Sequence, residues 1–221
     1  MFVSMWMTAE VLTVQPDVPL ADAARLMGQK RIRRLPVLAS ADVDAPLVGI
    51  ISSTDVLHAV PLNVNPFTGT GTSIQQAGGE RALTVADVMT PNPLTTTADA
   101  PIEMAASLMR SRKIGALPVM RHEQLVGMIT ESDIFRAFTS MFDLSAAGAR
   151  ITFDISQGED VLPLIAELTR KHDLQVTSFV ALHDHERPVC VVRLAGKDID
   201  AMLEDVWKSH HRVESVIRLE E

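Results

Sequence analysis

Two stretches, LVGIISSTDVLHAV (Leu47 to Val60) and LVGMITESDIFRAF (Leu125 to Phe138), carry one pattern twice: an apolar strand with a glycine, a hydroxyl residue, an acid three positions on, and a helix. Upstream of them, MTAEVLTVQPDVPLADAARLMGQKRIRRLPVL (Met7 to Leu38) aligns without a gap on MTPNPLTTTADAPIEMAASLMRSRKIGALPVM (Met89 to Met120). Leu12 then pairs with Leu94, Asp17 with Asp99, Pro19 with Pro101 and Pro36 with Pro118. Self-similarity of this kind marks a duplicated structural unit. Only the turn between the last two strands differs, because the first copy carries the longer SADVDAP.

Each copy has the same internal grammar. After Asp-x-Pro, apolar residues recur at helical spacing (Leu20, Ala23, Ala24, Met27; Ile102, Ala105, Ala106, Met109), predicting an amphipathic helix entered through a turn. LPVL and LPVM are short strands, VGII and VGMI second ones, and a short leading strand is expected near Val11 to Val14, giving β-α-β-β-α. Neither copy buries both faces of so small a sheet, so the two are expected to pack together as a pseudo-twofold pair.

The first repeat is placed at 1–60, a Gly, Thr, Ser and Asn-rich linker at 61–85 and the second repeat at 86–145. The linker's TGTGTS lacks the Gly-Lys-Ser/Thr of a phosphate loop, so that option is dropped. Beyond a boundary at Ser145 to Gly148, residues 149–221 spell β-α-β-β-α-β, the order of a ferredoxin-like half-sandwich. The fold class expected is therefore α/β (α+β), with two repeats and one further domain.

At 221 residues, 47% hydrophobic and 22% charged, the chain can hold two modest domains or three small ones. A net charge of -8 argues against a nucleic-acid surface, which needs clustered cations over many phosphates. No apolar run approaches the roughly 20 residues that span a bilayer, and the N-terminus lacks a basic, then apolar leader, so no membrane partner and a cytoplasmic location are expected. Cys190, alone in the apolar run PVCVVRL, reads as a small buried hydrophobe.

The duplicated Ser52-x-x-Asp55 and Thr130-x-x-Asp133 support two roles. At a helix start, the hydroxyl and acid make something like a capping box worth about 1 kcal/mol. The same helix start also favours a phosphate, while an Asp about 5.4 Å further on can accept both hydroxyls of a ribose diol. Gly49 and Gly127, just upstream, would let a ligand approach the backbone.

Those residues carry a resemblance. Leu-Pro-Val with Gly-Ile-Ile-Ser-x-x-Asp or Gly-Met-Ile-Thr-x-x-Asp looks like the CBS domain, and Met7 to Phe138 resembles a CBS pair, or Bateman module. Such pairs bind AMP, ADP, ATP or S-adenosylmethionine in clefts between the copies and regulate rather than catalyse. With a C-terminal ACT-like domain, the order resembles the acetoin-utilisation B-type proteins. The resemblance implies one cleft using Thr130 and Asp133 with Leu12, Ile32, Arg33 and Arg34, and a second using Ser52 and Asp55 with Leu94, Ile114 and Gly115. The first is preferred, because KRIRRLP sets guanidinium groups where phosphates are expected whereas KIGALP offers Gly and Ala. Arg136, one turn beyond Asp133, would add a phosphate contact, where the matching His58 is mostly neutral. The alternative for KRIRR is a solvated basic face.

Homodimerisation and a regulated partner protein of unknown identity follow from the same resemblance. An enzyme is not expected: no Gly-x-Ser-x-Gly, His-Glu-x-x-His or Cys-His arrangement is visible, and neither a catalytic cofactor nor a metal is implied. His183-Asp184-His185-Glu186, with His210-His211 elsewhere, invites a metal site, but the first segment reads as a solvated turn and no third ligand has a fixed place; the methionines read as core filler. Gly158 stands where ACT-like domains take an effector, but ISQGEDVLPLI lacks the usual Asp-x-Pro-Gly run, so pairing between chains is preferred as that domain's role. A structural dimerisation protein without a nucleotide is the alternative function.

Overall fold

The computed structural model describes residues 1–42, 44–60, 67, 82–141, 147–183 and 186–219. Most of the expected linker over 61–85, Ser145 and Ala146 of the expected domain boundary, and Asp184 and His185 of the polar turn lie outside the described residues. The chain forms two compact units, Met1–Ile134 and Phe135–Glu221.

The first unit holds both repeats. In the first, α1 (Leu20–Lys30) leads through β1 (Arg34–Leu38) and β2 (Leu47–Ser52) to α2 (Ser53–Ala59). In the second, β3 (Thr90–Pro91) and β4 (Thr96–Thr97) precede α3 (Ile102–Arg112), β5 (Ala116–Arg121), β6 (Gln124–Thr130) and α4 (Glu131–Ser140), which spans the boundary between the units. The duplication extends to irregular details. The antiparallel pairs β1/β2 and β5/β6 shift register at matching places, between Val37 and Leu38 and between Val119 and Met120. Both first helices end on a left-handed residue, Arg31 and Lys113, each at φ 53°. The next amide, Ile32 or Ile114, then donates back to Met27 or Met109 at 3.0 Å. This closure turns the chain sharply out of the helix and points Ile32–Arg34 and Ile114–Ala116 into their strands. The expected leading strand is reduced in the first copy to a single parallel bridge, Val14 with Val37, which matches β4 beside β5 in the second.

The repeats are interleaved rather than merely adjacent. Ahead of each copy runs an arm with one 3-10 turn, Val3–Met5 or Val85–Asp87, whose leading valine is fully buried. The first arm bonds to the second repeat: Val3 and Ser4 amides donate to Ala100 and Ala98 carbonyls at 2.9 and 2.8 Å, and Thr8 exchanges two 2.9 Å bonds with Met128. Reciprocally, Val85 and Ala86 amides donate to Val18 and Pro16 carbonyls at 2.9 Å, and β3 adds a strand to β2. Val85 joins the first repeat's core of Leu20, Met27, Leu35, Val37 and Ile51. Gly127 and Gly49 admit these arms. A Cβ on Gly127 would lie 2.8 Å from both the Thr8 carbonyl oxygen and Met7 Sδ, and one on Gly49 would lie 2.5 Å from Met89 Sδ. The close approach expected of a ligand at these glycines is made by the protein's own arm.

The second unit runs β7 (Gly148–Asp154), α5 (Val161–Lys171), β8 (Gln175–Leu182), β9 (Val189–Ala195), α6 (Ile199–Lys208) and β10 (Arg212–Leu219). Its four strands form an antiparallel sheet in the order β10-β7-β9-β8. Alternate residues of the two central strands (Ile151, Phe153; Val192, Leu194) share one core with Ile165 and Leu168 of α5 and Met202 and Val206 of α6, so both helices cover one face. Among the described residues no helix is long and apolar enough to cross a membrane.

Candidate functional site

A hollow of about 430 Å³ lies inside the first unit, where the arm of the first repeat meets the helix start of the second. That size is in the range of small-molecule sites, ~300–1,000 Å³. Its position follows from the interleaving. The Thr8–Met128 bonds lay the arm along β6, which brings Thr8, Glu10, Val11 and Leu12 to one wall. The left-handed turn at Arg31 delivers Ile32, Arg33 and Arg34 to another, with Lys30 from the end of α1. Met128, Thr130, Glu131 and Ser132 supply the third wall, and Gly115 faces them from the second repeat.

Val11, Leu12, Ile32 and Met128 provide apolar surface, and Thr130 and Ser132 provide hydroxyls. The charges are Lys30, Arg33 and Arg34 against Glu10 and Glu131. Burial, followed by the neighbouring Arg33 charge, pushes the Arg34 guanidinium below its ordinary value, while Glu131 and Asp55 act in the opposite direction. Two adjacent guanidinium groups, one half-buried, are ready hydrogen-bond donors to an anion.

The hollow thus brings together Leu12, Ile32, Arg33, Arg34 and Thr130 of the first expected set. Asp133 is placed differently. It is 7% exposed and sits behind Thr130, off the lining, because its Oδ2 accepts both the Thr130 amide at 2.9 Å and the Thr130 hydroxyl at 2.7 Å. The Asp133 amide donates to Thr130 Oγ1 at 3.4 Å, which completes the capping box. Arg136 is exposed on α4, beyond the last lining residue, Ser132.

Of the second expected set, Ser52 and Asp55 form a twin capping box, with Ser52 amide and hydroxyl bonds to Asp55 Oδ2 at 2.8 and 2.7 Å. Leu94 is exposed, just beyond the β3 arm that pairs with β2, and Ile114 is half-buried. Gly115, expected in that second set, lines the first hollow beside Arg34. The reason is reach: Arg34 extends from the first repeat over the backbone of Gly115 in the second, a contact that no pattern within either copy announces. Lys30, Glu10, Glu131 and Ser132 were also missed, and only the basic run KRIRR pointed near them. A third hydroxyl–acid pair, Thr84 with Asp87 at 2.8 Å, caps the 3-10 turn of the second arm and was overlooked. Among the described residues no group of three His, Cys, Asp or Glu is arranged to hold a metal.

Interleaved arms, twin capping boxes and a hollow shared by two copies define a paired-repeat module. The CBS domain profile matches residues 3–62 and 85–140, more than half of the chain, which therefore belongs to the CBS domain family. A CBS domain-containing protein of Dictyostelium discoideum is 32% identical over 133 residues, covering 60% of this chain and 87% of that protein. A homoserine O-acetyltransferase of Methanohalobium evestigatum is 32% identical over 136 residues, 61% of this chain and 24% of the enzyme. The chain thus spans about a quarter of the length of the curated acetyltransferases it matches. Among solved structures, the CBS domain pair of protein MJ0100, in complex with 5'-methylthioadenosine and S-adenosyl-L-methionine, is similar at TM-score 0.50 and 26% identity, covering 62% of this chain and 99% of that one. CBSX2 in complex with AMP is similar at TM-score 0.50 and 28% identity, with coverage of 62% and 96%. A protein assigned provisionally to acetoin utilization (AcuB) from Vibrio cholerae is similar at TM-score 0.51 and 28% identity, covering 65% of this chain and 94% of that one.

Proposed function

We propose that this protein is a regulatory sensor whose hollow takes an adenosine phosphate. The observation that carries this function is the convergence of Lys30, Arg33 and Arg34 with the Thr130 and Ser132 hydroxyls around a space walled by Val11, Leu12, Ile32 and Met128. The base is held against the apolar wall, the phosphate by the guanidinium groups, and the sugar at the start of α4. Asp133 contributes by fixing Thr130 and by placing negative charge at the helix start. The MJ0100 and CBSX2 pairs, which hold adenosine compounds, support the ligand class. Ser52 and Asp55 with Leu94 and Ile114 stand as a second, weaker site. The second unit, with its β-α-β-β-α-β order and β10-β7-β9-β8 sheet, is a ferredoxin-like, ACT-like domain that pairs two chains into a homodimer. It, or a partner protein, reads ligand occupancy, and the protein itself catalyses nothing.

Isothermal titration with AMP, ADP, ATP and S-adenosylmethionine tests the proposal. Arg34→Ala is expected to weaken adenosine phosphates about tenfold or more, the scale of a charge-assisted hydrogen bond, while the melting temperature is held. No heat and no thermal shift with any of the four would leave only the scaffold function.

A further inference from the structure

Over Gly115, on the wall of the hollow, a guanidinium from the first repeat and a carboxylate from the second approach the same backbone position. A Cβ there would lie 2.8 Å from Glu131 Oε2 and 3.3 Å from Arg34 Cζ, with Arg34 Nη2 closer still. The two side-chain tips therefore converge over a single backbone position, one reaching from the start of β1 and the other from the first residue of α4. Both residues line the hollow, so Arg34 faces a resident carboxylate and an incoming anion at once. Arg33 repels it from the same side, while Glu131 and Asp55 favour its charged form.

Resting on the nucleotide function proposed above, we infer that Glu131 is a specificity-determining residue: an internal counter-ion on Arg34 that competes with ligand phosphate and sets which charge of adenosine ligand the hollow accepts. A phosphate must share or displace the carboxylate, so each added negative charge on the ligand meets more repulsion from it. A neutral nucleoside gains and loses nothing from it. S-adenosylmethionine, whose sulfonium and ammonium are positive, is helped by it. The apolar wall sets which base enters, and Glu131 sets how much charge may follow.

Titrating wild type and Glu131→Gln with adenosine, AMP, ADP and S-adenosylmethionine at fixed ionic strength tests this, with circular dichroism to confirm that the variant folds. The expected result is graded by charge: adenosine unchanged within about twofold, AMP tightened roughly three- to tenfold, ADP tightened more, and S-adenosylmethionine not tightened. Adding Arg34→Gln in a double-mutant cycle should remove most of the gain for AMP, because carboxylate and phosphate then have no shared guanidinium to compete for. Equal changes for all ligands, adenosine included, or weaker AMP binding, would overturn the counter-ion role while leaving the nucleotide function intact. Absence of binding to both proteins by every ligand would overturn both.

Discussion

Gly127→Ala tests whether the exchanged arm builds the hollow. The new methyl would sit 2.8 Å from the Thr8 carbonyl oxygen and 2.8 Å from Met7 Sδ. Met7 can swing its tip aside, but the Thr8 carbonyl is pinned by the Met128 amide at 2.9 Å, so the arm itself must retreat. Losing the two Thr8–Met128 bonds costs about 0.5–1.5 kcal/mol each, and the overpacking adds about 1–3 kcal/mol. The smaller unfolded-state entropy of alanine returns about 0.4–1 kcal/mol, leaving a net loss on the order of 2–4 kcal/mol. At about 2–4 °C per kcal/mol for a chain of this size, the melting temperature should fall ~5–15 °C. Thr8 to Leu12 leave the wall with the arm, so affinity for adenosine phosphates should fall tenfold or more. Gly49→Ala is the internal control. Its methyl meets the flexible end of Met89 and stands 3.2 Å from the Thr90 carbonyl oxygen, on the other arm. It should cost about 1 kcal/mol and spare this hollow. Scanning calorimetry and titration at a temperature where both variants are folded decide the matter. Gly127→Ala with a lowered melting point and undiminished affinity would refute the arm's role, as would equal loss of affinity in Gly49→Ala.

Two predictions concern the second unit. Asp205 ties α6 to the end of α5, accepting Lys171 Nζ at 2.6 Å and contacting His172 Nε2 at 2.8 Å. These bonds, Lys171 first, hold its carboxyl down at about 2 from the ordinary 3.8. A depressed acid stabilises the fold above its unfolded value and loses that contribution as pH falls through the folded one. The stability difference between wild type and Asp205→Asn in urea titrations should therefore be full from pH 5 to 7, shrink below about pH 4 and be nearly gone by about pH 2. A difference that stays constant to pH 2 would contradict the tie. Burial pushes the Cys190 thiol up to about 11, so at pH 8 a thiol reagent should react with the native protein far more slowly than with the same chain in denaturant. Similar rates in both would show that the core around β7 and β9 is open.

What sequence could disclose here was whatever is written locally. Helical spacing at Leu20, Ala23, Ala24 and Met27, the Leu-Pro-Val strands and the repeated Gly-to-Asp motif each announce one element, and their recurrence announces the pair. The arms were hidden for a physical reason. Val3 and Val85 are buried only because each crosses to the other copy, and their amides bond to residues far away in sequence, Ala100 and Val18. The overlooked likeness of Val3 to Val85 would have extended the repeat upstream of Met7, but not revealed the exchange. The Ser/Thr-x-x-Asp motif was ambiguous in a different way, since the same spacing serves a capping box and a diol acceptor. In the structure Asp133 Oδ2 accepts from the Thr130 amide and hydroxyl, the capping half of that pair. The copies differ beside the shared motif, where Arg33 and Arg34 of the first correspond to Gly115 and Ala116 of the second. Duplication supplied two equal frames. Divergence at these two positions made one of them cationic, and Gly115, having no side chain, leaves room over its backbone for Arg34 to reach across from the first repeat.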